Sequence, residues 1–179
     1  MGTKRRPATE AEARALASSV RLRILRLCLD RALTNKEIAD RLGANPATTL
    51  HHVRKLVQTD FLAAEPSRPG PRGSTEIPYR ATGKSWDMDV RESGVTGANA
   101  AILDAFLEEL KLVDIEEGDF ARLGLRLTAE GYDELHTRLQ EVFDEFRVRR
   151  PPPDGQAYSL FVALHRDVAR DTAPPPGDA

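Results

Sequence analysis

Side chains that could support catalysis or hold a metal ion form few recognisable arrangements in this 179-residue chain. The sequence contains no P-loop, GxGxxG, GxSxG or HExxH pattern. His51 and His52 are adjacent on a predicted helix, so their side chains diverge and cannot chelate one metal ion. Asp133 and His136 could supply two ligands, but exposed helix positions explain them better. We therefore expect no enzyme activity, no cofactor and no metal.

Hydrogen-bonding chemistry is predicted instead on a helix that begins at Pro46. With about 100° of rotation per residue, Thr49, Val53 and Leu56 share the face that packs on the domain. The outer face and its flanks comprise Ala47, Thr48, Leu50, His51, Arg54 and Lys55. Short residues come first and basic ones follow, which suits contacts to base edges and then to phosphates in a DNA major groove. An ordinary amphipathic helix with a solvated polar face remains the alternative.

Local signals place a second helix just before this one. Thr34 and Glu37 form the pattern of a capping box, and Gly43 follows the apolar stripe where a left-handed residue is wanted. Asn45 is a strong N-cap and Pro46 a good first helical residue. Two helices joined by so short a turn form a helix-turn-helix. We include Thr34 and Asn45 among the predicted DNA contacts.

A basic hairpin is predicted after the second helix. Residues 61–65 and 76–81 are typical of short strands, and SRPGPRGST lies between them. Arg68 and Arg72 in this loop would contact the phosphate backbone or the minor groove. The alternative is a surface loop whose arginines are only solvated. The hairpin would be the wing of a winged helix.

These segments resemble a known family of DNA-binding domains. Residues 14–84 are similar to the winged helix of ArsR-like bacterial transcriptional regulators, through ALASSVRLRILRLCLD, LTNKEIADRLGANPATTLHHVRKL and FLAAEP with RGSTEIPYRAT. The resemblance implies a cytoplasmic, usually dimeric, repressor or activator. Leu50 departs from it, because a small polar residue is usual there. The metal sensors of the family carry a cysteine pair in the helix that here reads NKEIADR, so metal sensing is not expected.

Charge is divided unevenly along the chain. Residues 1–84 hold 16 Lys and Arg against 8 Asp and Glu, whereas residues 85–179 hold 10 against 20. The overall charge of −2 therefore hides a basic half that coincides with the predicted DNA-binding domain. Neither a membrane span nor a signal peptide is expected. The single cysteine, Cys28, is interpreted as a core residue in a reducing compartment, which favours a cytoplasmic location.

Composition predicts five segments. They are a flexible basic arm (1–8), the winged helix-turn-helix (9–84), a linker (85–98), a C-terminal domain (99–168) and a disordered tail (169–179). Lys4, Arg5 and Arg6 of the arm would add phosphate contacts or only improve solubility.

The C-terminal domain is predicted as a helix followed by a βαβ unit. The helices cover 99–113 and 128–149, and the strands cover 120–127 and 158–164. The apolar stripes of the two helices would form a dimer interface or close one intramolecular core. The same unit would enclose a small-molecule effector.

The predicted fold class is α+β, mainly α, with a winged helix-turn-helix followed by a C-terminal α/βαβ dimerisation or effector region. The predicted function is a homodimeric, sequence-specific regulator that binds double-stranded DNA. A protein-interaction adaptor without specific DNA binding is the alternative.

Overall fold

The computed structural model describes residues 5–171, and at residues 72, 91 and 171 it describes the backbone only. The chain divides into one unit that ends at Glu117 and another that begins at Gly118. The regular elements are β1 (Arg6–Pro7), α1 (Glu10–Leu16), α2 (Ser19–Leu27), β2 (Leu33–Thr34), α3 (Asn35–Leu42), α4 (Pro46–Gln58), β3 (Leu62–Ala64), β4 (Arg68–Pro69), β5 (Thr75–Glu76), β6 (Pro78–Ala81), β7 (Met88–Asp89), α5 (Ala98–Leu110), α6 (Ala129–Val148) and α7 (Val168–Asp171). Mainly helical structure with small sheets confirms the predicted α+β class.

The core of the N-terminal unit lies where α1 to α4 meet the small sheet. Its fully buried side chains include Ile24, Ile38, Val53, Leu56 and Phe61. Cys28 is buried among them, and this burial raises the pKa of its thiol to about 11. The interpretation of Cys28 as a small core residue is confirmed, because a protonated, enclosed thiol is a poor nucleophile.

The turn between α3 and α4 has the predicted local structure. Gly43 closes α3 with a φ of 62°, a conformation that a residue with a Cβ adopts only at a cost. Two residues later the Asn45 side chain accepts a hydrogen bond from the Ala47 backbone N–H at 2.8 Å, and Pro46 is the first residue of α4. The helix-turn-helix is therefore specified by its own caps.

A three-stranded antiparallel sheet supports the wing. Strand β6 lies in the centre, with β2 on one side and β3 on the other. The pairing of Leu62 with Ala81 and of Ala64 with Tyr79 confirms the predicted hairpin. Towards its tip a second short ladder pairs β4 with β5, Arg68 opposite Glu76. Sequence patterns did not indicate this second ladder, which continues strand pairing into the loop of the wing.

The segment just before α1 is not a flexible arm. Strand β1 pairs in parallel with β7, and the Arg6 guanidinium donates to both carboxylate oxygens of Glu12, at 2.7 and 2.9 Å. Arg5 lies 5.5 Å from the ring centroid of Trp86, within the range of a cation–π contact. The prediction of a free basic arm is corrected for residues 5–8, because these arginines are held by the protein itself. Lys4 lies outside the described residues.

Helix α5 belongs to the N-terminal unit. It packs on α1 and α2 through the buried small residues Ala98, Ala101 and Ala105, which permit close approach of the helices. Arg26 of α2 and Glu109 of α5 form an ion pair at 2.9 Å. The predicted linker 85–98 is correspondingly structured, with β7 and short 3₁₀ turns, and Met88 is buried. The unit boundary therefore lies near residue 117 rather than residue 84.

The C-terminal unit contains α6 and little other regular structure. Thr128 caps α6 by accepting from the Gly131 backbone N–H at 3.1 Å, as its sequence predicts. The predicted strands at 120–127 and 158–164 are absent, and the βαβ prediction is corrected. Neither segment is hydrogen-bonded to a sheet, and an isolated strand pair has little stability in water. The predicted disordered tail is corrected at residues 169–171, which belong to α7, and the rest of it lies outside the described residues. Within residues 5–171, none of the helices is both long enough and apolar enough to cross a membrane.

Candidate nucleic-acid interface

Helix α4 presents two distinct faces. Thr49, Val53 and Leu56 are buried against the core, and the Thr49 hydroxyl also donates to the Asn45 carbonyl at 3.0 Å. The predicted contact residues Ala47, Thr48, His51 and Arg54 are exposed on the other side, whereas Leu50 and Lys55 are half-buried. Burial on one side fixes the rotation of the helix, so the exposed face is the one available to a partner.

The start of α4 is fastened to α3 by Asn35. Its amide nitrogen donates to the carbonyl of Pro46 at 2.9 Å, across the turn. The side-chain oxygen of Asn35, Oδ1, is buried and has no hydrogen-bond partner among the described residues. Sequence reasoning missed this contact, because its only local signal is a polar residue at the first position of α3. The bond helps to set the angle between the two helices.

His51 and His52 diverge as predicted. Their ring centroids lie 5.8 Å apart in an edge-on arrangement. His51 is exposed, and His52 is half-buried. Burial, and after it the neighbouring charges of Arg21 and His51, lowers the pKa of His52. Arg54 and Lys55 are the arginine and the lysine that this helix carries next to its outer face.

Thr34 does not belong to the exposed surface. It is only 4% exposed, and its hydroxyl accepts from the Glu37 backbone N–H at 3.2 Å, closing the predicted capping box. The Thr34 N–H donates in turn to the Glu37 carboxylate at 2.7 Å. Its inclusion among the DNA contacts is corrected, because both of its polar groups are used to start α3. Asn45 also caps a helix but remains exposed.

The wing is joined to the helix-turn-helix by an ion pair. Arg68 of β4 lies 2.9 Å from the Glu37 carboxylate and 3.8 Å from Glu76 in the opposite strand. The Thr34 N–H and then Arg68 hold the pKa of the Glu37 carboxyl below its usual value. Arg68 is therefore not a free cation, although 46% of its side chain is exposed and faces water. Of Arg72, only the backbone is described, in the turn Pro71–Gly73.

A second cluster fixes the root of the wing. Lys84, three residues after β6, lies 2.8 Å from Glu12 and donates to the Thr59 carbonyl at 2.9 Å. Glu12 thus binds both Lys84 and Arg6, and the pKa of its carboxyl is held far below its usual value, first by Arg6. Lys84 therefore joins the end of α4, through the Thr59 carbonyl, to the carboxylate of Glu12 at the start of α1.

A protein-family match falls in this region. Residues 16–64 match a family described as a helix-turn-helix domain. The chain carries a winged helix-turn-helix domain. The matched segment supplies the helix-turn-helix, and the hairpin of β3 and β6 supplies the wing. The matched residues include α3, α4 and the turn between them, which are the elements that present the candidate interface. No curated protein matches the chain.

Three solved structures show a loose likeness. ZitR of Lactococcus lactis is 21% identical, with 72% of this chain and 75% of that chain covered and a TM-score of 0.33. The transcriptional regulator SlyA is 14% identical, with coverage of 71% and 73% and a TM-score of 0.31. The adhesin competence repressor AdcR of Streptococcus pyogenes is 15% identical, with coverage of 73% and 81% and a TM-score of 0.30. At these TM-scores the likeness says nothing about what this chain binds.

Proposed function

We propose that the protein is a transcriptional regulator that binds double-stranded DNA in a sequence-specific manner. The observation that carries the proposal is the exposed face of α4 within a winged helix-turn-helix. Small side chains at Ala47 and Thr48 allow the first turn to approach base edges, and His51 can donate or accept there. Arg54 and Lys55 follow where a helix in the major groove meets phosphates.

We further propose that the regulator acts as a homodimer. Helix α5 leaves Ile102, Leu103 and Leu107 almost half exposed. In the C-terminal unit, α6 leaves Val142 and Phe146 exposed to a similar degree or more. Apolar surface repeated along helices is typical of a protein interface, and a second copy would cover it with the same residues. Two recognition helices would then meet half-sites centred about one turn, roughly 10 bp, apart or a multiple of it.

Selection of bound sequences from a random pool of duplex DNA tests both proposals together. The full chain should enrich one sequence with two-fold symmetry. Enrichment of a single unrepeated half-site would refute the dimer but keep specific binding. A pool that stays random would refute specific binding and favour an adaptor, whose exposed apolar surface serves another protein.

Residue changes on α4 separate base contacts from phosphate contacts. Thr48→Ala and His51→Ala should change the order in which related sequences are preferred, because each removes a group that faces base edges. Arg54→Ala and Lys55→Ala should weaken binding to all sequences, with the salt slope lowered by about one for each residue. Arg138→Ala is the matched control, because Arg138 lies on α6 in an exposed pair with Glu134. An unchanged sequence ranking in the Thr48 and His51 variants would show that this face does not contact bases.

Salt dependence provides an independent measure of the interface. If about six to ten phosphates are contacted by the dimer, affinity should fall by about 10³- to 10⁵-fold between about 50 and 200 mM salt. A shallow, sequence-blind dependence would again favour the adaptor. Under the same proposal the C-terminal unit is the place where a small-molecule effector would act, because it lies outside the winged helix.

A further inference from the structure

The C-terminal unit contains a cavity of about 780 Å³. Residues 121–128 line one part of it, residues 163–167 line another, and Tyr132 and Arg170 complete it. Binding sites for small organic molecules typically have volumes of about 300–1,000 Å³. The cavity is therefore large enough for a ligand, and its lining indicates which chemistry the ligand needs.

Positive charge is concentrated in this lining. Residues 118–171 hold 8 arginines against 10 Asp and Glu, so the unit as a whole is slightly acidic. Half of those arginines line the cavity: Arg122, Arg126, Arg166 and Arg170. Among the described lining residues, Asp167 is the one carboxylate, at 3.7 Å from the Arg170 guanidinium. The local excess of positive charge favours an anion.

Two of these arginines are available to a ligand. Within the described residues, the side chains of Arg122 and Arg126 make no hydrogen bond or ion pair. Gly124 lies midway between them, and a Cβ added there would come within 2.6 Å of Arg170 Nη1. The absence of a side chain at Gly124 thus lets a third guanidinium approach the same short segment. Guanidinium groups stay charged and match the paired oxygens of carboxylate, sulfonate or phosphate groups.

The same segment also offers apolar surface. Leu123, Leu125 and Leu127 line the cavity and remain 78%, 41% and 45% exposed. The chain itself does not cover these side chains, although removing them from water would be favourable. A ligand with an apolar body next to its anionic group would satisfy both parts of the lining.

We infer that this cavity binds a small organic anion with an apolar body, and that this anion is the effector of the proposed regulator. The role as effector rests on the proposed function, whereas the binding itself does not depend on DNA. Two dyes of nearly the same shape test the binding: anilinonaphthalene sulfonate, which is anionic, and N-phenylnaphthylamine, which is the uncharged counterpart. Fluorescence titration of the full chain should show that the sulfonate binds at least tenfold more tightly than the uncharged dye. The affinity for the sulfonate should fall as salt is added.

Variants locate the site. Arg122→Gln and Arg126→Gln, combined, should weaken binding of the sulfonate by about tenfold or more, because two charge-assisted hydrogen bonds are lost. Binding of the uncharged dye should change by less than about twofold. Arg138→Gln is the matched control, since this exposed arginine of the same unit does not line the cavity. Circular dichroism of each variant checks that α6 is intact.

Each outcome is decisive. Equal affinity for the two dyes, or no binding of the sulfonate, would overturn the inference, since exposed apolar surface alone takes up both. An equal loss in the Arg138→Gln control would overturn the assignment to this cavity. For the regulatory part, saturating sulfonate should change the affinity for the selected DNA by about fivefold or more in the parent and not in the double variant. A protein that binds the sulfonate but no DNA would refute the proposed function and leave the anion site standing.

Discussion

Replacing Glu12 by Gln tests the cluster that joins the start of α1 to the root of the wing. The carboxylate accepts from Arg6 at 2.7 and 2.9 Å, from Lys84 at 2.8 Å and from the Thr9 N–H at 2.8 Å, and the residue is 7% exposed. The amide keeps one acceptor oxygen but places an N–H₂ group against two cations. Charge-assisted hydrogen bonds contribute roughly 1.5–3 kcal/mol each. Because Arg6 is about half exposed, water can replace part of the hydrogen bonding that its guanidinium would lose.

We therefore expect Glu12→Gln to lower the free energy of unfolding by about 3 kcal/mol at pH 7. For a unit that ends at Glu117, an unfolding entropy of roughly 2.1 cal/mol/K per residue converts this loss to a fall in Tm of about 12 °C. Thermal unfolding followed by circular dichroism measures it. Glu10→Gln on the same helix is the control, because the exposed Glu10–Arg14 pair should contribute less than about 1 kcal/mol.

The pH dependence provides a second readout of the same cluster. The folded pKa of Glu12 lies below its unfolded value of about 4.3, so its stabilisation is complete above about pH 5 and is lost as pH falls towards the folded pKa. The gap in Tm between the parent and Glu12→Gln should narrow in that direction. A Glu12→Gln protein as stable as Glu10→Gln, or a gap that does not change with pH, would refute the reasoning.

Three further predictions concern the helix-turn-helix and its core. Gly43→Ala should lower the free energy of unfolding by about 1–2 kcal/mol in denaturant titration, because its φ is 62° although a Cβ would meet nothing within 4 Å. Thr34→Ala should cost about 1 kcal/mol in the same titration and leave the ranking of DNA sequences unchanged, since the hydroxyl caps α3. Cys28 should react with an aromatic disulfide reagent at pH 7 only as fast as the protein unfolds, because it is buried and its pKa is about 11; rapid reaction would contradict the burial.

Structural features that depend on residues close together along the chain could be predicted from the sequence. The capping box of Thr34 and Glu37, the left-handed Gly43 and the Asn45 cap each involve residues at most three positions apart. Their geometry follows from local backbone chemistry, so the sequence indicates them directly. The exposed face of α4 follows for the same reason, because helical periodicity determines which side is buried.

What could not be predicted depends on contacts between distant residues. Arg68 meets Glu37 across 31 positions, and nothing in the loop sequence distinguishes that pairing from a solvated arginine. Helix α5 packs on α2 through a face of small residues. The sequence of that face is equally compatible with packing inside a separate domain, so it did not indicate this attachment. The alternation of apolar residues with polar residues or glycine at 120–127 indicates only that this segment is able to form a strand. Whether it pairs depends on a neighbouring strand that sequence patterns cannot locate.

The ion pair between Arg68 and Glu37 has a consequence for how binding energy is gained. A lysine or arginine that is free in solution displaces condensed cations from DNA when it meets a phosphate, and this release of ions provides much of the affinity. Arg68 already carries its counter-charge within the protein, and a phosphate that takes its place leaves Glu37 to be solvated again. Exchanging Glu37 for a phosphate as the partner of Arg68 would therefore change the number of released ions little. Under the proposed function, Arg68 would thus contribute mainly a defined position of the wing on the duplex, and Arg54 and Lys55 would contribute to the salt-dependent attraction.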